Sequence, residues 1–315
     1  MSIERVATST QNYLLLSQIA KANDALNTDQ QQIASGKVST TYAGMGDKTA
    51  VLEAARSAAG RVASYQPGTQ LALTQANLQD TQLSSLSDIA NQLRQALTEA
   101  VGTGDGSTLG TQLQDLMDQI TQVLNSKDSN GNYLYGGDKN NVPPVTVSSL
   151  SDLAGLAGAS DAFQNGTIAQ SVQVADGETV GVGVLASDVG SGLMQTLKSI
   201  ADYVQSNGDF GTSLSQSQAD FLTSAISGAS TAATQVNNAA AANGYTVQRL
   251  SDASDQQDSL STLYTGFVSN LEDVDMGQAV TKLNQDQVAL QAALQMTSQL
   301  SQVSLLNYMG TSPVG

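Results

Sequence analysis

The chain has 315 residues and a formal net charge of −16, from 12 basic and 28 acidic side chains. It has no His and no Cys, which excludes imidazole and thiolate metal sites, His-based triads and disulfides. So few Lys and Arg argue against a groove that tracks nucleic-acid phosphates.

Aromatic residues make up 4% of the chain and hydrophobic residues 40%, so a core must be built from Ala, Leu, Val and Ile. No stretch approaches the roughly 18 consecutive apolar residues of a membrane span, and none is expected. The start, Met-Ser-Ile-Glu-Arg, lacks the basic flank and apolar run of a cleavable signal peptide.

The first predicted helix covers 3–34. Ile3, Val6, Tyr13, Leu16, Ile19, Leu26 and Ile33 recur at helical spacings and draw an apolar stripe. A break is predicted at Ser35, Gly36 and Lys37, and a second helix from Thr49 that stops near Pro67-Gly68. Leu71 and Leu78 then open a coiled-coil-like pattern that continues through Leu86, Ile89, Leu93, Leu97 and Val101. A glycine-rich stretch over 102–110 precedes a short helix over 113–124.

Residues 126–192 change character. Asn130-Gly131 and Gly136-Gly137 mark turns around Tyr133, Leu134 and Tyr135. Residues 171–174 and 179–184 alternate β-branched side chains around a turn at Asp176-Gly177, which predicts a hairpin. The expectation is a small β-containing insertion with a thin core of its own. Helices resume over 192–205, after 213 in a long Ala-, Ser- and Gln-rich segment, and over 279–309. The last of these carries Val280, Leu283, Leu290, Leu294, Leu300, Val303 and Leu306 along one stripe.

The search for chemistry assigns no catalytic residue, no metal and no cofactor. Asp273 and Asp275 read as helix-start or surface carboxylates, since an acid–base dyad needs environments that separate two pKa values. The run from Gly102 to Gly110 lacks the Gly-Lys-Ser/Thr ending of a phosphate loop and reads as an interhelix connection. No EF-hand alternation surrounds Asp105, Asp128 or Asp176. Tyr133 and Tyr135, with Gly136 and Gly137, read as turn anchors in preference to a sugar-stacking platform. One apolar helix near each end can pair only if the chain folds back. The faces left over either meet other copies or close an intramolecular bundle.

Two passages carry a family resemblance. Gln30 to Lys37, ending in Ser35, Gly36 and Lys37, resembles the end of the first helix of bacterial flagellins and the related hook-associated proteins. Asn270 to Met276, with Asp273, Val274, Asp275 and Met276, resembles the start of their C-terminal helical region. Arg249, just beyond Asn243-Gly244-Tyr245, resembles an Arg of a helical family motif, with a local salt bridge as the alternative. The resemblance implies a mainly α fold: a long antiparallel helical hairpin or coiled-coil bundle, N- and C-terminal helices paired, plus a small β-containing central domain. It implies that 1–40 and 278–315 build an inner tube layer, 41–137 and 193–277 a helical rod, and 138–192 an outward projection.

It further implies a structural, non-enzymatic axial subunit of the bacterial flagellum that serves motility. Such a subunit is exported by the flagellar type III route without a cleavable signal peptide, and it self-assembles outside the cell. The implied partners are copies of itself, hook protein, hook-associated proteins and flagellin, with an export chaperone on the C-terminal arm; no nucleic acid and no membrane span are implied. Asn130 to Gly137 and the tail 304–308 resemble members at the hook–filament junction, and the main filament subunit is the alternative. From a different class, a surface-binding or enzymatic module is the remaining reading.

Overall fold

The computed structural model describes residues 3–309, with side chains described outside 3–9, 11–12, 300–301 and 303–309. The fold is mainly α-helical: α1 (Ile3–Ser35), α2 (Tyr42–Met45), α3 (Thr49–Thr103), α4 (Leu109–Leu124), α5 (Leu150–Ala154), α6 (Ala186–Asn207), α7 (Gln216–Glu272) and α8 (Met276–Met309). Strands β1 (Gln170–Ala175) and β2 (Glu178–Val182) pair as an antiparallel hairpin. The chain divides into two compact units, Met1–Gly60 with Ser261–Gly315, and Arg61–Leu260.

In the Arg61–Leu260 unit a seven-residue period organises the core. Val62, Thr69, Ala76, Leu83, Ala90 and Leu97 of α3 are buried. So are Leu222, Ala229, Val236, Asn243, Leu250 and Gln257 of α7, again spaced by seven. A strict seven-residue repeat keeps one seam of a helix facing a partner over many turns. Ala76, Ala90 and Ala229 are among its residues and none is aromatic, in keeping with the low aromatic content.

The same unit corrects several sequence expectations. Helix α3 does not stop at Pro67 but runs through it. Proline removes one rung of the hydrogen-bond ladder and strains the preceding turn, yet the turn is held from outside. The Tyr65 hydroxyl donates to Asp176 at 2.7 Å, the Gln66 amide donates to Asp258 at 2.9 Å, and Thr69 is buried. Leu71 does not join the seam; it is 46% exposed, and Ala72 beside it is buried instead. Helix α4 begins at Leu109 and α6 at Ala186, earlier than their apolar stripes suggested.

The middle segment has no separate thin core. Tyr135, Val145, Val147 and Leu153 belong to one buried cluster with Leu93, Leu97, Ile120 and Leu197. The hairpin forms where predicted, with Gly177 at φ +75° in its turn. It packs Val174, Val180 and Val182 against Ala72, Ala76 and Leu250. The glycine-rich 102–110 stretch is an interhelix connection tied to the α6–α7 loop. Gly106 N–H donates to the Gly211 carbonyl at 2.9 Å, and Leu214 N–H donates to the Gly104 carbonyl at 2.8 Å.

In the other unit, α1 pairs with α8. Residues of intermediate or complete burial recur along each at alternating steps of four and three: Ile19, Ala22, Leu26, Asp29 and Ile33 on α1, and Ala279, Leu283, Asp286, Leu290 and Ala293 on α8. Ile3, Val6, Leu300, Val303 and Leu306 lie outside the described side chains.

Candidate assembly surface

The residues that end α1 and begin α8 are brought together by one acidic side chain. Gly36, at φ +69°, turns the chain out of α1 while its N–H donates to the Gln32 carbonyl at 2.8 Å. This is the left-handed position that glycine occupies after a helix at least strain. The Ser35 hydroxyl donates back to the Gln31 carbonyl at 2.7 Å. Beyond the turn, Val38 N–H donates to the Glu272 carbonyl at 2.7 Å and Val274 N–H to the Gly36 carbonyl at 2.9 Å, with Lys37 bridged to Asp273 as in a short antiparallel ladder.

The Glu272 side chain is buried beneath this ladder and takes two cations, Lys37 on one oxygen and Arg56 on the other at 2.6 Å. The Lys37 hydrogen bond, then that of Arg56, holds the Glu272 carboxyl below the usual carboxylate range against the opposing effect of burial. Asp275 then starts α8: its side chain accepts from Gly277 N–H at 2.9 Å and Gln278 N–H at 3.1 Å. That is helix N-capping, which satisfies donors the first turn leaves free. Asp273 accepts from the Ser269 hydroxyl at 2.5 Å, and Met276 is exposed.

Along the α1–α8 pair, Ile19, Leu26 and Ile33 lie on the side turned to α8, and Leu283 and Leu290 are half-buried. Tyr13 and Leu16 are 77% and 59% exposed, and Val280, Val288, Leu294 and Met296 are exposed as well. Tyr13 and Leu16 therefore do not share the face of Ile19, Leu26 and Ile33. The pair keeps an apolar surface open after its own seam is closed, and such surfaces mark interaction sites.

The remaining singled-out residues lie in the Arg61–Leu260 unit. Tyr135 is fully buried, and burial pushes its phenol up. Tyr133 lies beneath the Lys127 ammonium, 4.5 Å from the ring centroid, and its N–H donates to the Asn140 carbonyl at 2.8 Å. Gly136 and Gly137 are buried where added methyl groups would meet Lys139 and Asn140, or Leu185 and Ile168, at under 3 Å. Arg249 stands 3.8 Å from Glu178, a half-exposed local ion pair. Asp273 and Asp275 belong to the other unit.

Sequence reasoning missed Glu272, Arg56, Asp29 and Lys282. Asp29 did leave a signal, a charge three residues after Leu26 and four before Ile33 in a stripe otherwise apolar. Glu272 left none, since its cations come from 235 and 216 positions away. Among the described residues no cluster of three or more His, Cys, Asp or Glu side chains could hold a metal, and no helix is long and apolar enough to cross a membrane.

Residues 226–309 match the model of the bacterial flagellin C-terminal helical region. A search of curated proteins gives no match. Among solved structures, one from Vibrio parahaemolyticus assigned as a flagellar hook-associated protein superposes with a TM-score of 0.58 at 17% identity, covering 74% of this chain and 99% of that one. Bacillus cereus FlgL superposes with a TM-score of 0.44 at 14% identity, covering 67% and 98%. Residues 226–309 are thus similar to the C-terminal helical region of bacterial flagellins, and the chain shares its fold with the Vibrio parahaemolyticus structure.

Proposed function

We propose that this chain is a structural axial subunit of the bacterial flagellum that works at the junction between hook and filament, assembling outside the cell with copies of itself. The observation that carries the self-assembly is the apolar surface left open on the α1–α8 pair, with Tyr13, Leu14 and Leu16 on one helix and Val288, Leu294 and Met296 on the other. Exposed side chains of this size cost solubility unless a partner covers them. A contact repeated by translation and rotation builds a tube where a closed contact would build a dimer.

In this reading 1–40 with 278–315 form the inner layer, 41–137 with 193–277 the rod, and 138–192 the projection. Hook-side proteins meet one end and flagellin the other, and an export chaperone covers the C-terminal arm before assembly. The turn from Asn130 to Gly137 and the small size of the 138–192 segment support the junction position, as does the fold shared with a hook-associated protein. The match of 226–309 to flagellin favours the second reading, a filament subunit that polymerises in bulk.

Immunogold electron microscopy of intact flagella, with antibody against 138–192, separates the two. Label confined to a ring at the hook–filament boundary supports the junction role. Label along the whole filament replaces it with the flagellin role, and absence of label from flagella removes both.

A further inference from the structure

Among the described residues, the α1–α8 seam from Ile19 to Ile33 and from Ala279 to Ala293 is apolar except at Asp29 and Asp286. Asp29 on α1 is fully buried, and one of its oxygens accepts from the Lys282 ammonium of α8 at 2.6 Å. Asp286 stands one turn further along α8, also on the seam side. One carboxylate oxygen of Asp29 and one of Asp286 are buried with no hydrogen-bond partner. Lys282, itself 56% exposed, thus pairs directly with Asp29, while Asp286 acts on it only through its nearby charge.

We propose that Asp29, Lys282 and Asp286 are a register lock: they fix how α1 and α8 align, and they do so at a cost to the stability of the pair. The apolar layers cannot fix the alignment alone. Ile19, Leu26 and Ile33 repeat every seven residues, and so do Leu283 and Leu290, so a slip by one heptad sets apolar against apolar again. Only the observed register places Asp29 beside Lys282. A slipped pair leaves Asp29 buried and unpaired, which is strongly unfavourable. The cost arises because a buried ionic group with unsatisfied oxygens is worth less than a well-packed apolar one, as with single polar residues that set register in coiled coils. For a chain whose copies present the same apolar helices to one another, one permitted alignment outweighs a tighter but ambiguous seam.

The chain has no cysteine, so engineered pairs report alignment without background. Counted antiparallel from the Asp29–Lys282 contact, the seam positions set Ala22 level with Leu290, one heptad from the Asp29 layer. Ala22→Cys with Leu290→Cys reports it, and Ala22→Cys with Leu283→Cys reports a one-heptad slip. The full-length chain is oxidised while dilute, and intrachain bonds are read by gel mobility. In the native background we expect only the first pair to close. Adding Asp29→Leu with Asp286→Leu should let the slipped pair close at a rate within about threefold of the first, and should raise the melting temperature. A slipped pair that stays as slow as in the native background, or a melting temperature that falls, overturns the proposal. Charge reversal provides a second arm. Asp29→Lys alone should slow the first pair at least tenfold, and Asp29→Lys with Lys282→Asp should restore it. Failure of the double reversal to restore closure overturns the lock as well.

Discussion

The Gln257 side chain of α7 donates a hydrogen bond to the backbone carbonyl of Val174 in β1 at 2.7 Å, and it does so where the hairpin cannot. The β1–β2 register is irregular between Gln173 and Ala175, so Val174 has no residue opposite it in the ladder. A bulge frees a carbonyl, and a buried carbonyl must find another donor. The same amide nitrogen also donates to the Thr69 hydroxyl at 2.9 Å, so one side chain joins α7, α3 and β1.

Gln257→Ala orphans these acceptors inside the protein. The expected loss is about 1–3 kcal/mol, read by urea denaturation, with faster amide exchange in β1 and β2. Gln248→Ala, on the exposed side of the same helix and bonded to exposed Asp252, should stay within about 0.5 kcal/mol of the native chain.

The leucines of α3 should separate sharply. Leu93 is fully buried in the main cluster, and Leu93→Ala should cost about 2–5 kcal/mol through lost transfer energy and a cavity. Leu71, exposed beside the seam, should cost no more than about 0.5 kcal/mol on the same change. Equal losses would contradict the seam as described.

Glu272 should make stability depend on acid. Its folded pKa is depressed, chiefly by the Lys37 hydrogen bond and then by Arg56. The ion pairs therefore contribute fully above the unfolded carboxylate value, about 4.3, and the contribution is lost as pH falls through the lower folded value. Glu272→Gln should cost about 1–3 kcal/mol at neutral pH, between the values of exposed and fully buried pairs. The difference between native and variant should shrink below about pH 4 as the native carboxyl takes up its proton. Denaturation of both proteins at pH 7 and pH 3 checks the sign.

Two glycine-to-alanine changes should have opposite effects. A Cβ on Gly190 of α6 would meet Leu124 at 2.7 Å and the Phe163 ring at 3.1 Å, so overpacking should cost about 1–3 kcal/mol. A Cβ on Gly60 of α3 meets nothing within 4 Å. There the helix propensity of alanine should stabilise by about 0.5–1 kcal/mol. Thermal melts followed by helicity distinguish the two.

Much of the helical order was legible because apolar spacing survives in the sequence, and the hairpin was legible because Asp176-Gly177 punctuates two β-branched runs. Residues 71–100 were read through leucines, and that misplaced Leu71. Alanine at 72, 76 and 90 carries the seam, yet alanine is equally at home on either face, so periodicity alone did not reveal it. Pro67 was misread because a local rule stops a helix there, whereas the contacts of Tyr65, Gln66 and Thr69 with distant residues carry it through. Of the assembly region, the caps were legible at Gly36 and Asp275, since a cap is a local device. The convergence of Lys37 and Arg56 on Glu272 was not, because no short-range pattern encodes a meeting across more than two hundred residues.

The passage of α3 through Pro67 has a mechanical consequence. A helix loaded along its axis shares force among its hydrogen bonds, and here the bond between residue 67 and the Ala63 carbonyl does not exist. The weakest rung is the one flanked by Tyr65 on Asp176, at the hairpin turn, and by Gln66 on Asp258, in the neighbouring helix. Gly68, just beyond, lets Val172 of the hairpin approach to 3.3 Å from where a methyl would stand. The hairpin thus serves as a splint across the one gap in the ladder, stiffening a strut that its own backbone leaves free to bend.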